Sequence, residues 1–491
     1  MVINGGAMNP EGLAEKVHEM ISQKGFKLRV GYVEGDNLMH KVHHLLSKSL
    51  THLDKANPNV QYDEDTTSFL ESPKEMPILA ANAFLGYRAI KKGLDEGADI
   101  LICGRVSDAS PVIGAAAWWY NWSESDFDQL VGSLIAGHLI EFSTYVTGGN
   151  FAGAYKYPPS NFLRLGAGIA EILPNGECII TKHDSLNGFV TPDTVKCQLL
   201  HELQGIIYLN SDVKADISNI AVYFPVNACG DATNHKWDMQ ELQLKDTLQE
   251  WGILDKLDVL DFQRIGTAMK DPDSQFASTT YMRIFSQSKD RDVLSKMHKA
   301  WHYQFMCHFP GMHFSMDTRL LIPKPFLGYY PATVSQHEIE ETVTKTEPIA
   351  PRENYETKNP VPLDKFGLNV NRPLGDIVLA RSGDKGGNIN IGLFVQTAEQ
   401  WEWFRSIMTK DRLQTLMRKD WKDWYFLERV EFEKIYAVHF VVYGLLGRGM
   451  TSSSLLDKLG KGFAEFICAV HVDNPLKILE ENVGRSNLEH L

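Results

Sequence analysis

The sequence predicts an α/β protein: a parallel sheet with helices on its faces, a mixed α+β stretch inserted after it, and a small separate α+β unit at the C-terminus. Three observations carry this. Strand-like and helix-like segments alternate over roughly the first 150 residues, the pattern of a parallel sheet. The 491 residues exceed what one core organises, at about 100 to 200 residues per domain. Residues 342–373 shift to Pro, Glu, Lys and Asn with little apolar periodicity, as a linker does. The expected division is therefore 1–341 for the first domain, 342–373 for the linker, 374–475 for the second domain and 476–491 for a tail.

The elements follow in order. "VING" is a short strand running into Gly5 and Gly6, and "NPEGLAEKVHEMISQKG" a helix with Asn9 placed to cap and Pro10 at its first position. "LRVGYVEGDN" reads as strand then polar loop, and "AFLGYRAIKKGLDEGADILICGRVSDAS" as helix, strand and polar loop. "DFDQLVGSLIAGHLIEFSTYVTGGNFAG" is a helix feeding a Gly-rich loop, and "GIAEILPNGECIITKHD" a hairpin turning at Pro174, Asn175 and Gly176. After the linker, "DIVLARSGDKGGNINIGLFV" gives two strands around a loop and "TAEQWEWFRSIMTKDRLQTLMRK" a helix. "VEFEKIYAVHFVVYGLL" gives strands, "LLDKLGKGFAEFIC" a helix and "AVHV" a last strand.

Composition narrows the function. With 49 basic and 62 acidic residues the net charge is -13, which argues against nucleic acid or an anionic membrane as partner and leaves a small molecule. The six cysteines, Cys103, Cys178, Cys197, Cys229, Cys307 and Cys468, show no CxxC pair and no disulfide framework. The first residues lack the pattern of a signal peptide and no apolar run approaches ~18 residues, so a cytoplasmic protein is expected.

In open parallel sheets ligands bind beyond the carboxyl ends of the strands. Each of the first three strands ends in a polar, Gly-containing loop, carrying Asn9, then Glu34 and Asp36, then Arg105, Ser107 and Asp108, and these loops are expected on one rim. Asp108 suits a base or an orienting group and Arg105 a carboxylate or thioester oxygen; a helix cap would explain one polar residue of "GRVSDAS" but not both. His138 and Glu141 are three apart on one helix face, an acid/base pair or else a core histidine with a satisfied partner. A single such pair is a weak metal signal, and no metal is expected. Asn150 lies among glycines in "TGGNFAG", where close backbone approach serves a ligand or a tight loop. In "ARSGDKGGNINIG", Ser382, Asp384, Lys385 and Asn388 surround three glycines without P-loop spacing. That loop either closes the site from the second domain, Asp384 and Lys385 pointing across toward Arg105, Asp108 or the "TGGNFAG" loop, or clasps the domains through an Asp384 ion pair. Trp118, Trp119, Tyr120 and Trp122 read as core or as the wall of an apolar pocket.

Taken together, "GRVSDASPVIGAAAWWYNW", "AGHLIEFSTYVTGGNFAG", "VTPDTVKCQLLHEL" and "ARSGDKGGNINIG" resemble the acyclic terpene utilisation protein A (AtuA-like) family, in a version like those of fungi. The resemblance implies a Rossmann-like N-terminal domain joined by a linker to a ferredoxin-like C-terminal domain. It also gives Lys182 and His183, which would otherwise read as solvated strand-end residues, a binding role. Family members usually carry roughly a hundred further residues in front. This chain starts at the family's second strand, so a second chain supplying that segment is one expectation, beside a homo-oligomer.

What the resemblance implies for function is lyase or hydratase chemistry, by acid and base without a cofactor, on a terpenoid- or polyketide-derived carboxylic acid, ester or acyl-CoA. No GxGxxG follows a predicted strand, which disfavours hydride transfer. The alternatives are a hydrolase or cyclase tailoring enzyme of secondary metabolism, for which no GxSxG elbow supplies a nucleophile, and a non-catalytic ligand-binding or assembly subunit.

Overall fold

The computed structural model describes residues 1–47, 80–218, 233–265, 269–288, 290–304, 350–447 and 457–481, together with a few positions between them. Residues 313–349, which include the first part of the expected linker, and Cys229 lie outside the described residues.

The chain opens with β1 (Val2–Ile3), α1 (Pro10–Gln23), β2 (Val30–Val33), α2 (Val42–Ser47), α3 (Arg88–Asp95), β3 (Ile100–Cys103), α4 (Ser110–Trp119) and α5 (Phe127–Ile140). The sheet order is β1-β3-β2, with Val2 opposite Leu101 and Val30 opposite Ile100, both pairings parallel. Parallel strands put their carboxyl ends on one edge, so the loops after all three share a rim, as the alternation predicted. Gly6 N donates to Cys103 O at 2.9 Å and Gly104 N to Val33 O at 3.0 Å, tying these loops together. Asn9 caps α1 by accepting from Gly12 N at 2.9 Å, with Pro10 following.

The mixed stretch contains the predicted hairpin of β4 (Gly168–Ile172) and β5 (Cys178–Lys182), then α6 (Pro192–Glu202) and the hairpin of β6 (Ile207–Leu209) and β7 (Lys214–Asp216). Next come α7 (Thr233–Glu250), β8 (Val259–Ile265), α8 (Gln275–Ser278), β9 (Tyr281–Gln287) and α9 (Arg291–Tyr303), where α7 and α9 bury Leu244, Leu248, Val293 and Ala300 against each other.

The C-terminal unit comprises β10 (Asn369–Pro373), β11 (Leu379–Lys385), β12 (Asn388–Phe394), α10 (Ala398–Ile407), α11 (Lys410–Met417), β13 (Phe426–Phe432), β14 (Ala437–Tyr443), α12 (Phe463–Ala469) and β15 (His471–Pro475). Its antiparallel sheet runs β11-β12-β14-β13, with β10 and β15 as a separate pair. Four details differ from expectation. The single helix "TAEQWEWFRSIMTKDRLQTLMRK" is two, because Thr409 restarts the chain as the cap of α11. The helix in "LLDKLGKGFAEFIC" begins only at Phe463, past Gly460 and Gly462. The "RSGDKGGN" loop is almost all strand, β11 and β12 joined by a turn at Gly386 and Gly387, its polar side chains reflecting two covered faces rather than solvent. Finally, 350–373 packs on the second domain: Tyr355 N donates to Arg429 O at 3.0 Å, and β10 pairs with β15. At the other end, Ile478 of the expected tail is buried in the same core.

Both faces of that sheet are covered. Side chains alternate along a strand, so Ser382 and Asp384 face α12 while Arg381, Gly383 and Lys385, with Asn390 and Gly392 opposite them, face α6. All eleven residues of α6 are buried, and a Cβ added to Gly383 would run into the His201 ring on it. Among the described residues no helix is long and apolar enough to cross a membrane. Gly383→Ala is expected to destabilise the chain by about 1–3 kcal/mol, measured by urea unfolding. A midpoint unchanged from the parent chain would contradict the close packing of α6 on β11.

Candidate functional site

Four segments meet where α6 ends. The C-terminal turn of α5 brings His138 and Glu141, whose Nδ1 and Oε2 share a hydrogen bond of 3.2 Å. The end of α6 brings Glu202, and Gln198, one turn earlier, donates to both His138 O (2.8 Å) and Glu202 Oε1 (3.2 Å), fixing the two helices to each other. The end of β11 brings the Lys385 ammonium to 4.0 Å from Glu202 Oε2. The loop after β3 brings Arg105 and Asp108 close enough for their charges to be felt by the cluster. Tyr208 of β6 sets its ring edge-on to His138, centroids 4.9 Å apart.

The electrostatics follow from this crowding. Burial pushes Glu141 up to about 7, against the hydrogen bond to His138, and the Glu202 and Asp108 carboxylates add to the rise. Asp108 is also raised, by burial first and Glu202 second, against His138, Lys385 and Arg105. It keeps accessible area, but the walls of the site crowd its other sides, and that crowding decides the direction. Tyr208 is raised by burial and by the same carboxylates, so it stays a phenol and a donor. A proton can therefore rest on or leave Glu141 near neutrality, which is the requirement for general acid/base chemistry. His138, Glu141 and Glu202 offer ligand atoms within 4.8 Å of one another, a donor set able to take a divalent cation, although Lys385 already sets a positive charge against Glu202.

Against this geometry stand the comparisons. Residues 1–224 and 223–345 match the model of "Acyclic terpene utilisation family protein AtuA", and residues 372–473 match "AtuA ferredoxin-like domain". The chain belongs to the acyclic terpene utilisation family. No match was found among curated proteins or among solved structures. The small C-terminal unit is thus the ferredoxin-like domain of this family, and the cluster lies where it meets the AtuA domain.

Of the residues singled out from sequence, Arg105, Asp108, His138, Glu141 and Lys385 converge in this cluster. Others are engaged elsewhere. Asn9 caps α1, and Asp36 accepts from Asn82 Nδ2 at 2.7 Å. Glu34 is exposed after β2, and Ser107 bonds Ser211 Oγ at 2.6 Å. Lys182 donates to Leu186 O at 2.7 Å and His183 Nδ1 bonds Ser185 Oγ at 2.8 Å, both local contacts of the β5 turn. Ser382 donates to Gly460 O (2.5 Å) and accepts from Ala464 N (2.9 Å). Asn388 donates to Asp54 Oδ2 at 2.7 Å. Asp384 shares the Ser382 face, turned away from Arg105 and Asp108, because the strand alternates where a loop was expected. Neither expected Asp384 contact, across the interface or in a clasp, is formed among the described residues. Asn150 accepts from Arg381 Nη1 at 2.9 Å, so it does meet the second domain. The aromatic run divides: Trp122 is core and stacks on Tyr120, while Trp119 is exposed.

Sequence reasoning missed Glu202, Gln198 and Tyr208. In "VKCQLLHEL" polar and apolar residues are mixed all round the helix, which does not single out position 202.

A stability effect follows from Glu141. Between its ordinary value of 4.5 and about 7 the folded chain holds a proton that the unfolded chain has released, so stability falls as pH rises through this window and levels off above it. Glu141→Gln is expected to flatten that part of the plot of melting temperature against pH; an unaltered slope would refute the assignment.

Proposed function

We propose that the chain is an acid/base enzyme of lyase or hydratase type acting on a terpenoid- or polyketide-derived carboxylic acid, ester or acyl-CoA. One observation carries this: a carboxyl group held near pH 7, beside a buried histidine, within a cluster that also contains two accessible or half-buried cations. Family membership supports the substrate class.

In such a reaction a base takes the proton from the carbon next to a carbonyl, and the electron pair moves onto the carbonyl oxygen as an enolate. The pair then returns to form the C=C bond, and a β-hydroxyl leaves as water with a proton from an acid; addition of water is the reverse. Glu141 is the base, its hydrogen bond to His138 aiming the carboxylate. Lys385 and Arg105 face the developing enolate charge, Asp108 orients the leaving hydroxyl, and Glu141 hands the proton it has taken to that oxygen as water departs. Tyr208 adds a neutral donor.

The test is solvent-deuterium exchange at the carbon next to the carbonyl, followed by mass spectrometry over a panel of branched acyl-CoA thioesters and free acids. Exchange is expected in the parent chain, reduced about 10²–10⁴-fold in Glu141→Gln. Asp384→Asn should exchange at the parent rate, since Asp384 faces away from the cluster. Exchange in Glu141→Gln equal to that of the parent would sink this function.

A further inference from the structure

We propose that Arg381, Lys461 and Asn150 form a closed oxyanion site at the domain interface, built to hold the phosphate or carboxylate group of a ligand. Arg381 is 2% exposed, Asn150 2% and Lys461 8%. Arg381 Nη1 donates to Asn150 Oδ1 at 2.9 Å, while Arg381 Nη2 and Asn150 Nδ2 are buried donors with no hydrogen-bond partner. Lys461 Nζ donates to Tyr145 OH at 3.0 Å. The two cations converge on one ring: Arg381 Cζ stands 5.4 Å and Lys461 Nζ 4.9 Å from the Tyr145 centroid, with Phe142 4.8 Å from Lys461.

Among the described residues neither cation has an ion-pair partner, and the neighbouring acids are committed elsewhere. Asp457 accepts from Lys461 N (3.0 Å), Gly462 N (2.8 Å) and Gln275 Nε2 (2.6 Å), and Glu465 pairs with Lys236. The two nearby histidines are held neutral. His201 and His308 are both held below their ordinary value, by burial first and then by these cations, and His308 bonds Tyr145 OH at 3.1 Å and Phe309 O at 2.7 Å. Ring faces offset part of the cost of burying two positive charges, but unpaired buried cations and orphan donors persist where a counter-ion completes them. Guanidinium, ammonium and amide donors in one place match the oxygens of phosphate or carboxylate.

The site adjoins the acid/base cluster through His201, whose Nε2 lies 3.7 Å from Glu202 Oε1. It can therefore anchor the anionic end of a substrate whose reacting carbon lies at Glu141; that role, though not the ion site itself, rests on the function proposed above. Both orphan donors are enclosed, so an anion reaches them only when the packing around Asn150 and Arg381 opens.

The experiment is thermal unfolding of the full chain with phosphate or acetate, against chloride at equal ionic strength. A saturable rise in melting temperature beyond chloride is expected, with apparent affinity about tenfold or more weaker in Arg381→Met and Lys461→Met. A response to phosphate alone assigns a phosphate-bearing ligand, and one to acetate alone a carboxylate. Asn150→Asp places a negative charge beside Arg381 and should raise the melting temperature without added anion while removing the response to it. Should Arg381→Met fail to fold, Asn150→Asp and Lys461→Met carry the test. Glu141→Gln should keep the anion response while losing exchange, which separates this site from the acid/base function. No saturable shift in the parent chain, or an equal shift in the variants, overturns the proposal.

Discussion

The Asn390 amide donates to the carbonyls of Leu200 (3.0 Å), His201 (2.9 Å) and Leu203 (2.7 Å), closing the C-terminal end of α6 from the opposite domain. The last carbonyls of a helix have no intrahelical partner, and α6 has no solvent to supply one. Its other end is satisfied locally by the reciprocal Thr191 and Thr194 bonds, and its polar side chains are met from the second domain too, with Gln396 donating to Asp193 at 2.7 Å. A helix bearing Asp193, Lys196, Gln198, His201 and Glu202 can be buried only if the facing sheet offers matching groups.

The site inherits this constraint. Because α6 is shared by both domains, its last turn delivers Glu202 and His201 to the seam, and the strand opposite delivers Arg381 and Lys385 with the period of two that a strand enforces. Glycine at 383 and 392 lets the backbones approach, so charged groups meet at distances where burial, rather than solvent, sets their protonation.

The parallel sheet, the α1 cap at Asn9 and the β4–β5 turn were legible because each rests on local rules: alternation, capping and turn chemistry. His138 and Glu141 were legible as a pair because helical spacing fixes their relation. Lys385 was legible as a member of the candidate cluster, but Asp384 was expected on the same side, since glycines and polar groups mimic a loop and conceal strand alternation. Glu202 was invisible for a different reason. Its position depends on which helix the second domain chooses to cover, and no local pattern around residue 202 encodes that.

Arg429 has a further meaning. It is fully buried in the ferredoxin-like domain, and its guanidinium donates to Met408 O (2.7 Å) and Glu431 (2.7 Å), but also to Tyr355 O (3.2 Å) and Thr357 Oγ1 (2.9 Å) from the segment before β10. That segment acts as an extra edge to the sheet. A fragment beginning at residue 374 would bare β13 and strip a buried cation of part of its shell, inviting edge-to-edge association. The contacts that complete this sheet therefore begin at Tyr355 and Thr357, upstream of residue 372, where the ferredoxin-like match starts.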